Sequence, residues 1–199
     1  MEELEKYREK ALELGASKAK LISAGEIPIE NRVTLKCQIP RCPSFGVCAN
    51  CPPYTIEPAR MKELLVEYSH AVFFSIDLPS QIMVRDKDKT EERVSEARNL
   101  FKIVSKIESM AFYDGRYLAF GLGAGSCLNV FCLKEKTCEA LNDHKRCRYP
   151  LKARPSMEAV GIDVFKMIAS AGWEIYPIGV DSKPEDSPKG TLAALVVIE

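Results

Sequence analysis

The sequence predicts an α/β (or α+β) fold in which a strand–four-cysteine loop–helix–strand unit occurs twice around a small mixed sheet. Three observations predict it. Apolar runs of strand length stand at residues 71–76 and 193–198. Stretches with apolar residues at helical spacing alternate with the strand candidates, the pattern of a layered α/β protein. The eight cysteines fall into two sets of four with shared intervals.

Residues 1–14 place Leu4, Tyr7, Ala11 and Leu14 on one helical face, and Gly15 is suited to end that helix. A short strand begins at 20–22, and a loop rich in Cys and Pro spans 37–53. Pro58 fits the first turn of a helix reaching about residue 68. Residues 71–77 form a strand and 80–90 a polar surface loop. A long helix over about 91–112 aligns Val94, Ala97, Phe101, Val104, Ile107 and Ala111 in one stripe. Asp114-Gly115 makes a turn, 116–122 a strand, and 127–147 the second Cys-rich loop. A helix over 156–171 ends at Gly172. Strands at 173–179 and 192–198 follow, separated by a charged loop.

The first cysteine set is Cys37-x4-Cys42-x5-Cys48-x2-Cys51 and the second is Cys127-x4-Cys132-x5-Cys138-x8-Cys147. Each follows a strand candidate. Each precedes, by seven or eight residues, a proline that opens a helix, Pro58 or Pro155. The chain therefore reads as one domain over 1–199 with an internal pseudo-repeat, about 19–79 and 116–180, joined by the helix at 91–112.

Composition narrows the function classes. Lys plus Arg equals Asp plus Glu, 28 each, which argues against non-specific nucleic-acid binding. Nothing approaches the ~20 consecutive apolar residues that span a bilayer, and Met1-Glu-Glu-Leu-Glu-Lys6 has no apolar signal core. The expectation is a cytoplasmic protein, where cysteines stay reduced and serve as ligands, redox groups or core residues. A chain of this size buries roughly 70% of its unfolded surface and needs no metal merely to acquire a core.

Four thiolates suit tetrahedral zinc or a cubane iron–sulfur cluster. Structural zinc sites usually separate two short Cys-x2–4-Cys hooks by a longer span, whereas here the ligands crowd into irregular loops and the second set has no Cys-x2-Cys pair. Prolines at 43, 52, 53 and 150 stiffen the loops, and Cys followed by Pro (Cys42, Cys51) also occurs in ferredoxin loops. Iron–sulfur ligation is favoured. The expected site comprises Cys37, Cys42, Cys48, Cys51, Cys127, Cys132, Cys138 and Cys147, holding two 4Fe-4S clusters, one per set. Basic residues outnumber acids around the second set, seven (Lys134, Lys136, Lys145, Arg146, Arg148, Lys152, Arg154) to three (Glu135, Glu139, Asp143). That excess would stabilise an anionic cluster and dock an acidic partner, or simply form a solvated loop.

Other candidates have plainer readings. Gly121-Leu-Gly-Ala-Gly125 lacks both the dinucleotide fingerprint and the Walker lysine. It reads as a tight turn or as backbone approaching a cluster closely. His70 opens a strand and reads as structural; His144, inside the second Cys loop, reads as exposed. Ser156 and Glu158 suit a helix start. No Ser/His/Asp arrangement is discernible.

The segments Cys48-Ala-Asn-Cys-Pro-Pro-Tyr54, Gly125-Ser-Cys127, Cys147-Arg-Tyr-Pro150 and Ala153-Arg-Pro-Ser-Met-Glu-Ala-Val-Gly-Ile-Asp163 together touch most of the chain. In them the sequence resembles a family of predicted metal-binding proteins of unknown function, widespread in anaerobic microbes including methane-producing archaea. The resemblance implies metal binding, iron–sulfur in character, in an anaerobic cell, and implies no substrate. The expected role is electron transfer to a redox partner protein. Two alternatives stand beside it: a zinc-stabilised interaction module, and an enzyme whose open cluster iron acts on a small sulfur compound or anion, with Cys147 the most dispensable ligand.

Overall fold

The computed structural model describes residues 2–84, 89–142, 145–179 and 181–199. Among the described residues it contains seven α-helices and one four-stranded sheet. The α-helices are α1 (Glu2–Glu13), α2 (Asn31–Gln38), α3 (Pro58–Leu65), α4 (Ser80–Met83), α5 (Thr90–Tyr113), α6 (Leu128–Phe131) and α7 (Val164–Ser170). The strands are β1 (Lys18–Ser23), β2 (His70–Leu78), β3 (Phe120–Leu122) and β4 (Gly190–Val197), in the order β1-β2-β4-β3. Every named pair is antiparallel. The sheet is thus antiparallel and not the mixed sheet the sequence predicts.

The two central strands explain their own composition. Alternate side chains of β2 and β4 (Val72, Phe74, Ile76, Leu78; Ala194, Val196) face α1 and α5. The others (Ala71, Phe73; Ala193, Leu195, Val197) face α3 and α7. A strand covered on both sides is continuously apolar, the pattern more familiar from parallel sheets. Three layers result, with helices on both faces.

Several elements differ from expectation for identifiable reasons. Residues 173–179 form no strand. Both edges of β4 are already taken by β2 and β3, and Pro177 has no backbone donor for a ladder. Trp173 instead stacks on Phe73, ring centres 5.1 Å apart, and covers the α3/α7 face. The strand expected over 116–122 shrinks to Phe120–Leu122, because Arg116 N–H still bonds back to Ala111 O across the left-handed Gly115. The helix expected over 156–171 breaks in two. Gly161 is left-handed at φ 91°, and a Cβ there would meet the Pro58 ring at 2.6 Å. Asp163 then caps α7 through the Lys166 N–H at 3.0 Å. Residues 80–83 are a helical turn rather than loop, and 85–88 lie outside the described residues.

The segment 153–163 joins the exits of the two outer strands. Glu30 N–H donates to Gly161 O (2.8 Å) and Asp163 N–H to Pro28 O (3.0 Å); on the other side Gly123 N–H donates to Pro155 O (2.9 Å) and Met157 N–H to Gly123 O (3.1 Å). Both cysteine segments leave the sheet beside this strap.

Gly123 also lies against α5. A Cβ on it would come within 2.5 Å of Phe101 Cε1 and 2.7 Å of Cζ. Gly123→Ala is expected to cost about 1–3 kcal/mol through overpacking, measured as a fall in thermal midpoint of roughly 2–12 °C. An unchanged midpoint would show that Phe101 yields freely. The glycines at 121 and 123 therefore serve close packing on α5, a role the sequence reading had given to a cluster or a turn.

Candidate metal centre

All eight cysteines are free thiols. Cys37 sits on the last turn of α2, so the first segment begins on a helix that the sequence reading missed. That helix buries none of its residues, and Pro40 prevents its continuation. Cys42, Cys48 and Cys51 follow in consecutive turns: Cys42 N–H donates to Cys37 O (2.9 Å) and Cys51 N–H to Cys48 O (3.0 Å). Cys127 caps α6, where Phe131 N–H returns to its carbonyl at 2.9 Å, and Cys132 ends that turn.

The two segments meet. Cys48 Sγ lies 3.7 Å from Cys127 Sγ across 79 residues of sequence. Asn50 Nδ2 donates to Cys127 Sγ at 3.4 Å, and the Cys51 thiol to Ser126 Oγ at 3.5 Å. Further stitches are Cys138 N–H to Val47 O (2.8 Å) and Asn129 Nδ2 to Ser44 Oγ (3.3 Å). Cys48, Cys51 and Cys127 are buried with Phe101, Leu128 and Val130, and Cys132 and Cys138 pack against that cluster. Cys147 is half-buried and accepts the Tyr149 N–H at 3.3 Å.

Electrostatics follow the geometry. Hydrogen bonds from Cys127 and Cys51 hold the Cys48 thiol far below the usual thiol range, while bonding to Cys48, then burial, pushes Cys51 and Cys127 up. Burial raises Cys37, helped by Cys42 and Glu158, and raises Cys132, helped by Cys138 and Cys147. Glu158 is raised by burial of its carboxyl, whose Oε2 has no hydrogen-bond partner.

Two sulfurs bound to one tetrahedral ion at ~2.3 Å stand roughly 3.8 Å apart, and Cys48 with Cys127 meets that spacing. Yet among the described residues no three Cys, His, Asp or Glu side chains gather closely enough to hold one ion. Five of the sulfurs instead gather in or against one apolar cluster (Cys48, Cys51, Cys127, Cys132 and Cys138), with Asn50 and Tyr149 N–H donors aimed at the sulfurs of Cys127 and Cys147.

Arg148 bridges Glu135 (2.6 Å) and Glu139 (2.5 Å), while Arg154 forks onto Glu108 of α5 through Nε at 2.8 Å and Nη2 at 2.9 Å. Part of the basic excess is therefore internally paired. His70 opens β2 as expected, with Nδ1 buried and unpartnered. His144 and Asp143 lie outside the described residues. Sequence reasoning missed Asn50 and Ser126 as sulfur partners; their signal was position, one inside the Cys48-x2-Cys51 pair and one next to Cys127.

The layered fold and this cluster of thiols define a cysteine-rich α/β protein. Residues 20–198 match the family described as predicted metal-binding protein (DUF2284), and the chain belongs to it. No curated protein and no solved structure matches the chain. Among the described residues no helix is long and apolar enough to cross a membrane.

Proposed function

We propose that the protein holds two 4Fe-4S clusters on its eight cysteines and passes single electrons to a partner protein in a reducing, cytoplasmic setting. The observation that carries this reading is the meeting of both cysteine segments in one apolar cluster. Eight thiols are the complement of two four-thiolate clusters. When bound, such clusters supply one-electron redox chemistry. The chain's own residues then exclude water through Phe101, Leu128 and Val130 and donate to sulfur from Asn50 and Tyr149, contacts that tune potential.

A partner face lies beside the second segment. Arg98, Lys102, Lys106 and Lys152 line a cleft of about 510 Å³ with Phe131 and Tyr149, whose rings stack at 5.3 Å. No carboxylate lines it, so an acidic partner is the complementary one.

The repeat expected over 19–79 and 116–180 loses its second closing strand, since 173–179 forms none; the same reading redraws it as two copies of one unit with β4 in that place. In each, a helix (α1 or α5) leads into an outer strand (β1 or β3), then a cysteine segment, then a helix (α3 or α7) and a central strand (β2 or β4). The leading helices share one face of the sheet and the following helices the other. The order β1-β2-β4-β3 and the end pairs Ala71↔Val197 and Leu78↔Gly190 are compatible with a two-fold axis between β2 and β4.

Protein purified without oxygen is expected to be brown, with a broad visible band and about eight iron and eight sulfide per chain. Colourless protein carrying about two zinc per chain would overturn the reading in favour of a structural module.

A further inference from the structure

Resting on the electron-transfer reading and deepening the partner it names, we propose that the protein captures one linear segment of that partner, acidic in one half and apolar in the other, in a groove along the outer face of α5.

The helix itself gives the first sign. α5 packs Leu100, Ile103, Val104, Ile107 and Ala111 into the layer against the sheet. Its opposite face should then be polar and solvated throughout. The first part of that face is: Arg98, Lys102 and Lys106 follow one another at intervals of four. Its end is not. Phe112 and Tyr113 stand 56% and 84% exposed, and Tyr117 and Leu151 beside them are exposed as well. Single exposed apolar side chains need no explanation, but a contiguous group marks a surface that something covers.

The cleft beside Arg98 and Lys102 does not stand alone. A second cavity of about 510 Å³, lined by Phe112, Tyr113, Tyr117 and Leu151, shares Ser105, Lys106 and Lys152 with it. The two are therefore one groove, with α5 as one wall and residues 149–154 as the other. From Arg98 to Tyr113 the helix rises roughly 22 Å, room for about seven extended residues. Among the described residues no ion pair takes up Lys102, Lys106 or Lys152. Glu108, the carboxylate in the second cavity, is already held by both arms of Arg154. The groove thus offers a cationic half and then an aromatic half.

That segregation selects the occupant. A nucleic-acid strand carries a charge and a base at every step and is met by cations interleaved with stacking rings. An anionic bilayer is met by a helix whose apolar face sinks beneath its basic one along its whole length. A polypeptide segment is the polymer that can place its acids in one half and an apolar anchor in the other, and Tyr and Arg are the residues such anchors meet most often. The basic half also adjoins the sulfurs. Tyr149 lines it, stacked on Phe131, and the Tyr149 N–H reaches Cys147 Sγ at 3.3 Å. Docking there brings the partner up to the second cysteine segment.

The test uses the full chain purified without oxygen and a fluorescein-labelled peptide of about seven residues, glutamates followed by tryptophan, leucine and phenylalanine. Fluorescence anisotropy should show saturable binding that is lost when lysines replace the glutamates. Lys102→Glu with Lys106→Glu, and separately Tyr113→Ala with Tyr117→Ala, should each weaken it about tenfold or more. These side chains are on the surface, so the thermal midpoint should hold in both variants. No saturable binding to the wild type, or either variant binding as tightly as the wild type, overturns the proposal. Tighter binding of polyuridylate or of phosphatidylglycerol vesicles, weakened in the same variants, overturns it in favour of a nucleic acid or a membrane. Iron counted in the same samples separates this from the cluster reading: failed binding with about eight iron per chain overturns the groove alone, and intact binding without iron overturns the clusters alone.

Discussion

Phe101→Ala is expected to destabilise the protein by about 3–5 kcal/mol, a fall in thermal midpoint of roughly 6–20 °C, and to speed the loss of metal. Phe101 is fully buried. One edge of its ring touches the backbone at Gly123. It meets Phe131 edge-on at 5.4 Å and packs with Cys48, Cys51 and Cys127. Glycine at 123 cannot fill the space left, so a cavity opens under the sulfurs and admits water. Differential scanning calorimetry and the rate of bleaching in air, compared with Leu100→Ala, separate the two effects. Leu100 is equally buried but packs in the α1/α5 layer, away from sulfur. Equal bleaching rates in the two variants would remove Phe101 from any part in shielding the site.

The second large effect is alkaline. The Tyr7 hydroxyl donates to Asp114 Oδ2 at 2.7 Å beneath Arg116, which also pairs with Glu199. Burial, then the bond to Asp114, pushes Tyr7 up to about 12. The folded state thus keeps a proton that the unfolded chain releases near its ordinary value of about 10. Stability from this group is complete below pH ~10 and falls as pH rises towards 12, by up to about 3 kcal/mol. Tyr7→Phe should lose ~1 kcal/mol at pH 7 with the hydrogen bond and then show a shallower decline above pH 10. Urea melts at pH 7, 9 and 11 read both. Parallel declines in the two proteins would mean that Tyr7 ionises freely in the fold. Asp114 moves the other way: Lys6 and then Tyr7 hold it below the usual carboxylate range, so its contribution is lost only as pH falls through that lowered value.

What the sequence made legible tracks the range of the forces involved. The boundaries of α1, α3, α5, β2 and β4 follow from periodicity, a proline at the first turn and runs of apolar residues, all of them local. The break at Gly161 was invisible because its cause is Pro58, a hundred residues away in the chain. Residues 173–179 have strand-like composition but are displaced by Gly190–Val197, which has no proline and occupies the central position. The cysteines were legible as two sets because spacing is local. Their meeting was not, since Cys48 and Cys127 are adjacent only once both segments leave the sheet beside residues 153–163.

That strap has a genetic consequence. One run of chain is tied by backbone hydrogen bonds to residues after β1 and to residues after β3. A substitution such as Ser156→Pro or Gly161→Val displaces both anchorages together, and a second lesion in the strap finds little left to disturb. Changes within 153–163 should therefore combine with strong diminishing-returns epistasis, while equally severe changes on α1 and α7, which pack on opposite faces of the sheet, should add.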